Sequence, residues 1–132
     1  MAEKMRVLLA DDAEEIVELL RANLHLDGRF EVVGEAMSGD EAVSMAASLR
    51  PDAVLLDLSM PGLDGLEAIP EIRRNSPDTR IVILSAMNAA DAFAKAMQLG
   101  ADRYVEKGAP LAYITNVLAD LHPWELPEKN AS

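Results

Sequence analysis

Five short apolar runs of strand length alternate along this chain with five segments of helical period. That alternation constrains the fold more than any other feature. Arg6–Ala10 (RVLLA) precedes Ala13–Leu26, where Ile16, Leu19, Leu20 and Leu24 are read as one inward helical face. Phe30–Ala36 precedes Gly39–Leu49, with Ala42, Val43, Ala46 and Leu49 expected inward. Ala53–Leu58 (AVLLDL) leads through a Pro61-Gly62 turn into Asp64–Arg74. Ile81–Ser85 (IVILS) leads into Asn88–Leu99, which Gly100 stops. Arg103–Glu106 (RYVE) leads into Leu111–Leu121, with Ile114, Val117, Leu118 and Leu121 at helical spacing. Strict strand–helix alternation predicts an α/β fold with a parallel sheet. AVLLDL and IVILS are almost continuously apolar, as strands covered on both faces should be. Pro70 falls past the first turn of the third helix, where it removes a donor, and a local kink is expected there.

The chain has 132 residues, enough for one domain with a real core. Half of it is hydrophobic but only 4% is aromatic, so the core must be built from aliphatic side chains and methionine. Met37, Met45, Met87 and Met97 are read as packing. With no cysteine there is no disulfide framework, thiolate metal site or thiol nucleophile. No apolar run approaches the ~20 residues that span a bilayer, and the polar start Met1–Arg6 does not read as a signal peptide. A cytoplasmic protein is expected. A formal net charge of −11 disfavours contact with nucleic acid or anionic membrane. A domain over residues 5–121 is expected, with residues 122–132 (HPWELPEKNAS) as a polar tail that gives Trp124 no assigned role. His25 and His122 stand far apart in sequence and are read as structural.

In an open parallel α/β sheet, ligands bind outside the carboxyl ends of the strands. Here the first strand runs out into Asp11-Asp12, the third into Asp57, the fourth into Ser85 and the fifth into Lys107. Three carboxylates, one hydroxyl and one ammonium therefore converge on one edge. Taken singly each has a plain explanation: Asp12 could cap the first helix, and Asp57 could be a turn residue. Together they form a cluster in which two carboxylates ~4 Å apart repel by roughly 4 kcal/mol at an effective dielectric near 20. Such a cluster either holds a proton or binds a cation. All the donors are hard oxygens with no histidine or cysteine beside them, which points to Mg2+ and away from zinc. A carboxylate beside Mg2+ can act as a nucleophile toward phosphorus, with Lys107 and Ser85 as electrostatic and hydrogen-bonding partners of the transferring group.

The acidic pair in LLADDAEE, the loop DLSMPGLDGLEA, the hydroxyl in ILSA and the lysine in GADRYVEKG together resemble the receiver domain of bacterial two-component response regulators. The resemblance runs from Arg6 to Leu121. It implies a flavodoxin-like (βα)5 sandwich with strand order 2-1-3-4-5. It further implies Asp57 as phosphoacceptor, with Asp12, Asp57 and the Ser59 backbone carbonyl holding Mg2+ and Asp11 reaching the metal through water. Ser85 would be the switch hydroxyl, Tyr104 the aromatic switch residue, and Lys107 the partner of the phosphoryl oxygens. The implied partners are a sensor histidine kinase as donor and a second copy at the fourth helix, fifth strand and last helix. EVVGEAMSGDEAV is most similar to the NarL-type branch, whose longer members carry a helix-turn-helix domain after the receiver.

Gly108 follows Lys107 where many receivers have proline, and Ser59 and Met87 flank the acceptor and switch positions. These leave the lifetime of the phosphorylated state open. A haloacid-dehalogenase-like Mg2+ phosphatase is disfavoured, because Ser59 stands where that class has its second aspartate. A flavin-binding relative is disfavoured by the acidic loop after the first strand. The chain is expected either to be free-standing or to be the excised receiver of a NarL-type DNA-binding regulator.

Overall fold

A computed structural model describes residues 3–60, 62, 64–86 and 90–122. Pro61, Met87, Trp124 and the tail from residue 123 lie outside the described residues. Five strands, β1 (Met5–Ala10), β2 (Phe30–Ala36), β3 (Ala53–Leu56), β4 (Arg80–Ser85) and β5 (Arg103–Glu106), alternate with five helices. The helices are α1 (Glu14–Asp27), α2 (Gly39–Leu49), α3 (Gly65–Asn75), α4 (Ala90–Leu99) and α5 (Leu111–Leu121). All strand pairs are parallel and the sheet order is β2-β1-β3-β4-β5, as expected.

The period-2 geometry of the strands divides the core into two layers. Ala53, Leu55, Val82 and Leu84 face α1 and α5, meeting Val17, Leu20, Leu24, Ile114 and Leu118. Val54, Leu56, Ile81 and Ile83 point the other way, toward Ala42 and Ala46 of α2, Ile69 and Ile72 of α3, and Ala96 of α4. Alanines on α2 and α4 let those helices lie close to the sheet, while branched side chains fill the space beneath α3.

Some boundaries differ from the sequence reading. The third strand ends at Leu56 and not Leu58, because there the chain leaves its pairing with β4. Asp57 still donates its N–H to the Ala10 carbonyl at 2.9 Å, so it stays beside β1. Leu19 is 57% exposed and does not belong to the inward face of α1, which is Val17, Leu20 and Leu24. Leu19 sits about 100° around the helix from Leu20, whereas residues 17, 20 and 24 fall on one stripe. Asp64 is the N-cap of α3, its carboxylate accepting from Glu67 N–H at 2.9 Å, and helix proper starts at Gly65. The helix is continuous from Gly65 to Asn75 with Pro70 inside it. Ser38 caps α2 by accepting from Glu41 N–H, and Glu41 accepts in return from Met37 N–H.

Away from the strand ends that carry the acids, Arg73 ties three segments together. Its guanidinium donates to the Thr79 and Gly100 carbonyls and pairs with Asp102, which also accepts from Ile81 N–H. This fixes α3 to the turn before β4 and to the turn between α4 and β5. Among the described residues, no helix is long and apolar enough to cross a membrane.

Candidate functional site

The carboxyl ends of β1, β3 and β5 bring together Asp11, Asp12, Asp57 and Lys107. Asp11 follows β1 directly, its N–H donating to the Ala36 carbonyl at 3.0 Å, so β2 fixes its backbone. Its Oδ1 accepts from Ala13 N–H at 2.9 Å, which orients the buried carboxylate inward. Asp12 is exposed and does not cap α1: the N-cap position is Ala13, with no side-chain cap bond. Asp12 is thus left facing its acidic neighbours. Asp57 is 2% exposed, and its Oδ1 accepts from Ser59 N–H at 3.2 Å. One carboxylate oxygen from each of the three aspartates lies within 4.8 Å of the others.

Lys107 supplies the countercharge. Its Nζ is 2.9 Å from Asp11 Oδ2 and 3.4 Å from Asp57 Oδ2, and its side chain is 18% exposed. The Asp11 contact is an ion pair without the alignment of a hydrogen bond. The lysine backbone is held too, since its N–H donates to the Ser85 carbonyl at 2.9 Å. Burial pushes the Asp57 carboxyl above its ordinary range; the Ser59 N–H opposes this, Asp11 adds to it and Lys107 opposes it again. Burial by itself would lower the Lys107 ammonium, but the contacts with Asp11 and Asp57 outweigh it and raise the group.

Three carboxylates against one ammonium leave two formal negative charges at a half-buried site. All its ligands are hard oxygens, and the described residues offer no histidine or sulfur donor among them. The donor set fits a hard divalent cation.

Ser85 ends β4 and is fully buried, one strand over from Asp57. Tyr104 in β5 pairs with Ile83 and is half-buried. Its ring meets Phe93 of α4 edge-on, with centroids 5.6 Å apart and an interplanar angle of 75°. His25 is exposed at the end of α1 and His122 is the C-cap of α5, neither near the acids in sequence or element.

Sequence reasoning missed two residues that shape this site. A Cβ at Gly65 would lie 2.5 Å from Leu58 Cα and 2.6 Å from the Asp57 carbonyl oxygen, so only glycine lets α3 start against the segment that carries Asp57. The signal was present as a glycine opening a helix eight positions after the aspartate. Phe93 was the other, one of only two phenylalanines in the chain and placed on the helix facing β5.

Comparison with known proteins agrees with this geometry. Residues 7–119 match the family model described as the response regulator receiver domain. A nitrate/nitrite response regulator protein homolog from Haemophilus influenzae is 37% identical over 81% of this chain and 51% of its own length. The transcriptional regulatory protein LiaR of Bacillus subtilis is 38% identical over 86% of this chain and 54% of its own length. The chain thus spans about half the length of the curated relatives it matches. Among solved structures, the signal receiver domain of a response regulator described as NarL from Mycobacterium tuberculosis superposes with a TM-score of 0.86. That pair is 33% identical and covers 89% of this chain and 95% of the other. A two-component response regulator of the LuxR family from Aurantimonas gives a TM-score of 0.83 at 31% identity, covering 90% and 86% of the two chains. A sheet of order 2-1-3-4-5 with an acidic cluster and a lysine at its carboxyl edge, matched to these relatives over nearly its whole length, places the chain in the response regulator receiver domain family, on its NarL/LuxR-type side.

Proposed function

We propose that Asp57 accepts a phosphoryl group from a partner sensor histidine kinase and that residues 5–121 form the unit that does so. The observation that carries this reading is a buried Asp57 within 4.8 Å of Asp11 and Asp12 and 3.4 Å from Lys107. An Asp57 carboxylate oxygen attacks the phosphorus of a phosphohistidine. The new O–P bond forms as the N–P bond breaks, and the imidazole leaves with a proton. Asp12, Asp57 and the Ser59 backbone carbonyl would hold Mg2+ directly, with Asp11 behind an intervening water. Bound there, Mg2+ supplies positive charge that neutralises the transferring phosphoryl oxygens.

The chain's own residues carry the remaining tasks. Lys107 moves from Asp11 toward the new phosphoryl oxygens. The Ser59 N–H, already on Asp57, holds the acceptor in place. Ser85 donates its hydroxyl to the phosphoryl group, and Tyr104 follows it inward. This repacks the surface of α4, β5 and α5 as a shift between two populations. The altered surface dimerises or releases an output module. The chain is an enzyme only in its own phosphorylation and slow dephosphorylation, and it works in the cytoplasm.

A second reading concerns the biological unit. The curated relatives are about twice as long as the matched region, which favours a NarL-type parent in which this receiver controls a DNA-binding part. The acidic chain itself, at −11 over its 132 residues, does not touch DNA.

Intact-mass measurement after incubation with acetyl phosphate and Mg2+ tests the central claim. One added phosphoryl group on the wild type, absent in Asp57→Asn, is the expected result. An adduct that survives in Asp57→Asn, or none on the wild type with any donor, overturns it.

A further inference from the structure

A groove of about 780 Å3 opens between α2, α3 and α4. Its floor is apolar, built from Val43 of α2, Leu66 and Pro70 of α3 and Leu99 of α4, all half-buried. Its rim is acidic. Asp40 and Glu67 stand exposed on α2 and α3, and Asp64 lies at the α3 N-cap. Glu71 is already paired with Arg74 at 2.8 Å, and Lys95 is the one cation among the described lining residues. Even with Glu71 neutralised by Arg74, the described lining carries three further carboxylates, Asp40, Asp64 and Glu67, against one ammonium, so its formal charge is negative.

Pro70 gives the wall a further property. It has no N–H, so the donor that would ordinarily engage the Leu66 carbonyl one turn earlier is missing. Both residues face the groove. The groove also borders the acceptor loop: a Cβ at Gly62 would lie 2.7 Å from Asp40 Oδ2.

Charge decides which occupant fits. Nucleic acid and anionic lipid are repelled by the rim, and a second copy of this chain would set acidic rim against acidic rim. What complements an apolar floor with carboxylates on both walls is an apolar stripe flanked by cations. We propose that this groove docks a cationic amphipathic segment of a partner protein, its apolar side chains over Leu66 and Pro70 and its Lys or Arg side chains on Asp40 and Glu67.

The test uses the full chain and two synthetic helical peptides, one with leucines on one face and lysines on the other, its twin with glutamates replacing the lysines. Amide shifts in two-dimensional NMR locate binding, and titration gives the affinity. The lysine peptide is expected to shift α2, α3 and α4 amides around the groove, and the glutamate twin to bind nowhere. Leu66→Ser and Glu67→Lys should each weaken the lysine peptide by about tenfold or more, while Glu18→Lys on exposed α1 leaves it unchanged. Thermal melts confirm that each variant is folded, and Leu66→Ala replaces Leu66→Ser if the latter is not. Shifts spread over acids throughout the surface, equal loss in Glu18→Lys, or no binding overturns the proposal. So does a concentration-dependent dimer of the chain that Leu66→Ser abolishes, which would make a second copy the occupant.

Discussion

Lys107 Nζ lies closer to Asp11 Oδ2, at 2.9 Å, than to Asp57 Oδ2, at 3.4 Å. The lysine therefore bridges two buried carboxylates and is held nearer Asp11 than Asp57. In this arrangement only a small displacement separates the ammonium from direct contact with Asp57. Its backbone cannot drift, because β4 holds its N–H through the Ser85 carbonyl.

Removing this cation should cost stability. In Lys107→Ala, Asp11 and Asp57 face each other without compensation. The expected loss in metal-free buffer is about 2 kcal/mol, short of the ~3–5 kcal/mol for a fully buried pair because the lysine keeps some solvent contact. Urea unfolding at neutral pH measures it, and Mg2+ should restore part of the difference. A variant as stable as the wild type without metal would mean that the two carboxylates are solvated well enough to need no cation.

Asp57 predicts a pH dependence with a definite sign. Its carboxyl is raised above the ordinary 3.8, burial being the largest cause. The folded state therefore holds this proton more tightly than the unfolded state, and the stability that this affords is present below about 3.8 and lost as pH rises through the folded value. At neutral pH the ionised group opposes folding. Asp57→Asn should accordingly be more stable than the wild type at pH 7 without metal, with the advantage shrinking toward pH 4. Lys107, raised above 10.5, contributes throughout that range and loses its contribution only above 10.5. Urea midpoints across pH 4 to 8 check the Asp57 sign; a gap that widens as pH falls contradicts it.

The cluster of Asp11, Asp12 and Asp57 makes an independent prediction, that it holds Mg2+. A ligand that binds only the folded state stabilises it by about 2.7 kcal/mol at a hundredfold excess over its Kd, so Mg2+ should raise the melting temperature of the wild type. Asp12→Ala should lose most of that rise, because Asp12 is exposed, does not cap α1 and has no visible task but to face the other two acids. Unfolding scans with Mg2+ and with EDTA supply the comparison. An undiminished shift in Asp12→Ala would remove Asp12 from the proposed Mg2+ ligands.

How much of this was readable from residues alone depends on the kind of information. Alternation and apolar runs are local, so the parallel α/β class and the element boundaries, to within about two residues, followed from them, whereas the strand order came only with the family resemblance. The convergence of Asp11, Asp12, Asp57 and Lys107 was legible because parallel strands must deliver their carboxyl ends to one edge. Leu19 was misplaced because a run of two leucines at 19 and 20 does not say which of them faces the sheet; helix rotation is set by packing at Val17 and Leu24. The length of β3 depended on where β4 stops pairing, a contact of high sequence separation. Phe93 against Tyr104 and Gly65 against Asp57 are likewise relations between elements, visible only once helices α4 and α3 are in place.

Gly65 gives the prediction that separates packing from helix propensity. An alanine within a helix ordinarily improves on glycine by ~1 kcal/mol. Here a Cβ would meet backbone on both sides, at 2.5 Å from Leu58 Cα and 2.6 Å from the Asp57 carbonyl oxygen, and neither can yield as a side-chain tip would. Gly65→Ala should therefore destabilise the domain by about 2 kcal/mol, the usual cost of overpacking. It should also slow phosphorylation by acetyl phosphate, because the displaced segment carries Asp57 and the Ser59 N–H that holds it. Gly108→Ala is the contrast, since a Cβ there meets nothing within 4 Å, and it should be near neutral for stability. Denaturant unfolding of both variants, with phosphorylation rates followed by intact mass, decides the matter. If Gly65→Ala is as stable and as reactive as the wild type, the segment carrying Asp57 is not seated on α3 as described.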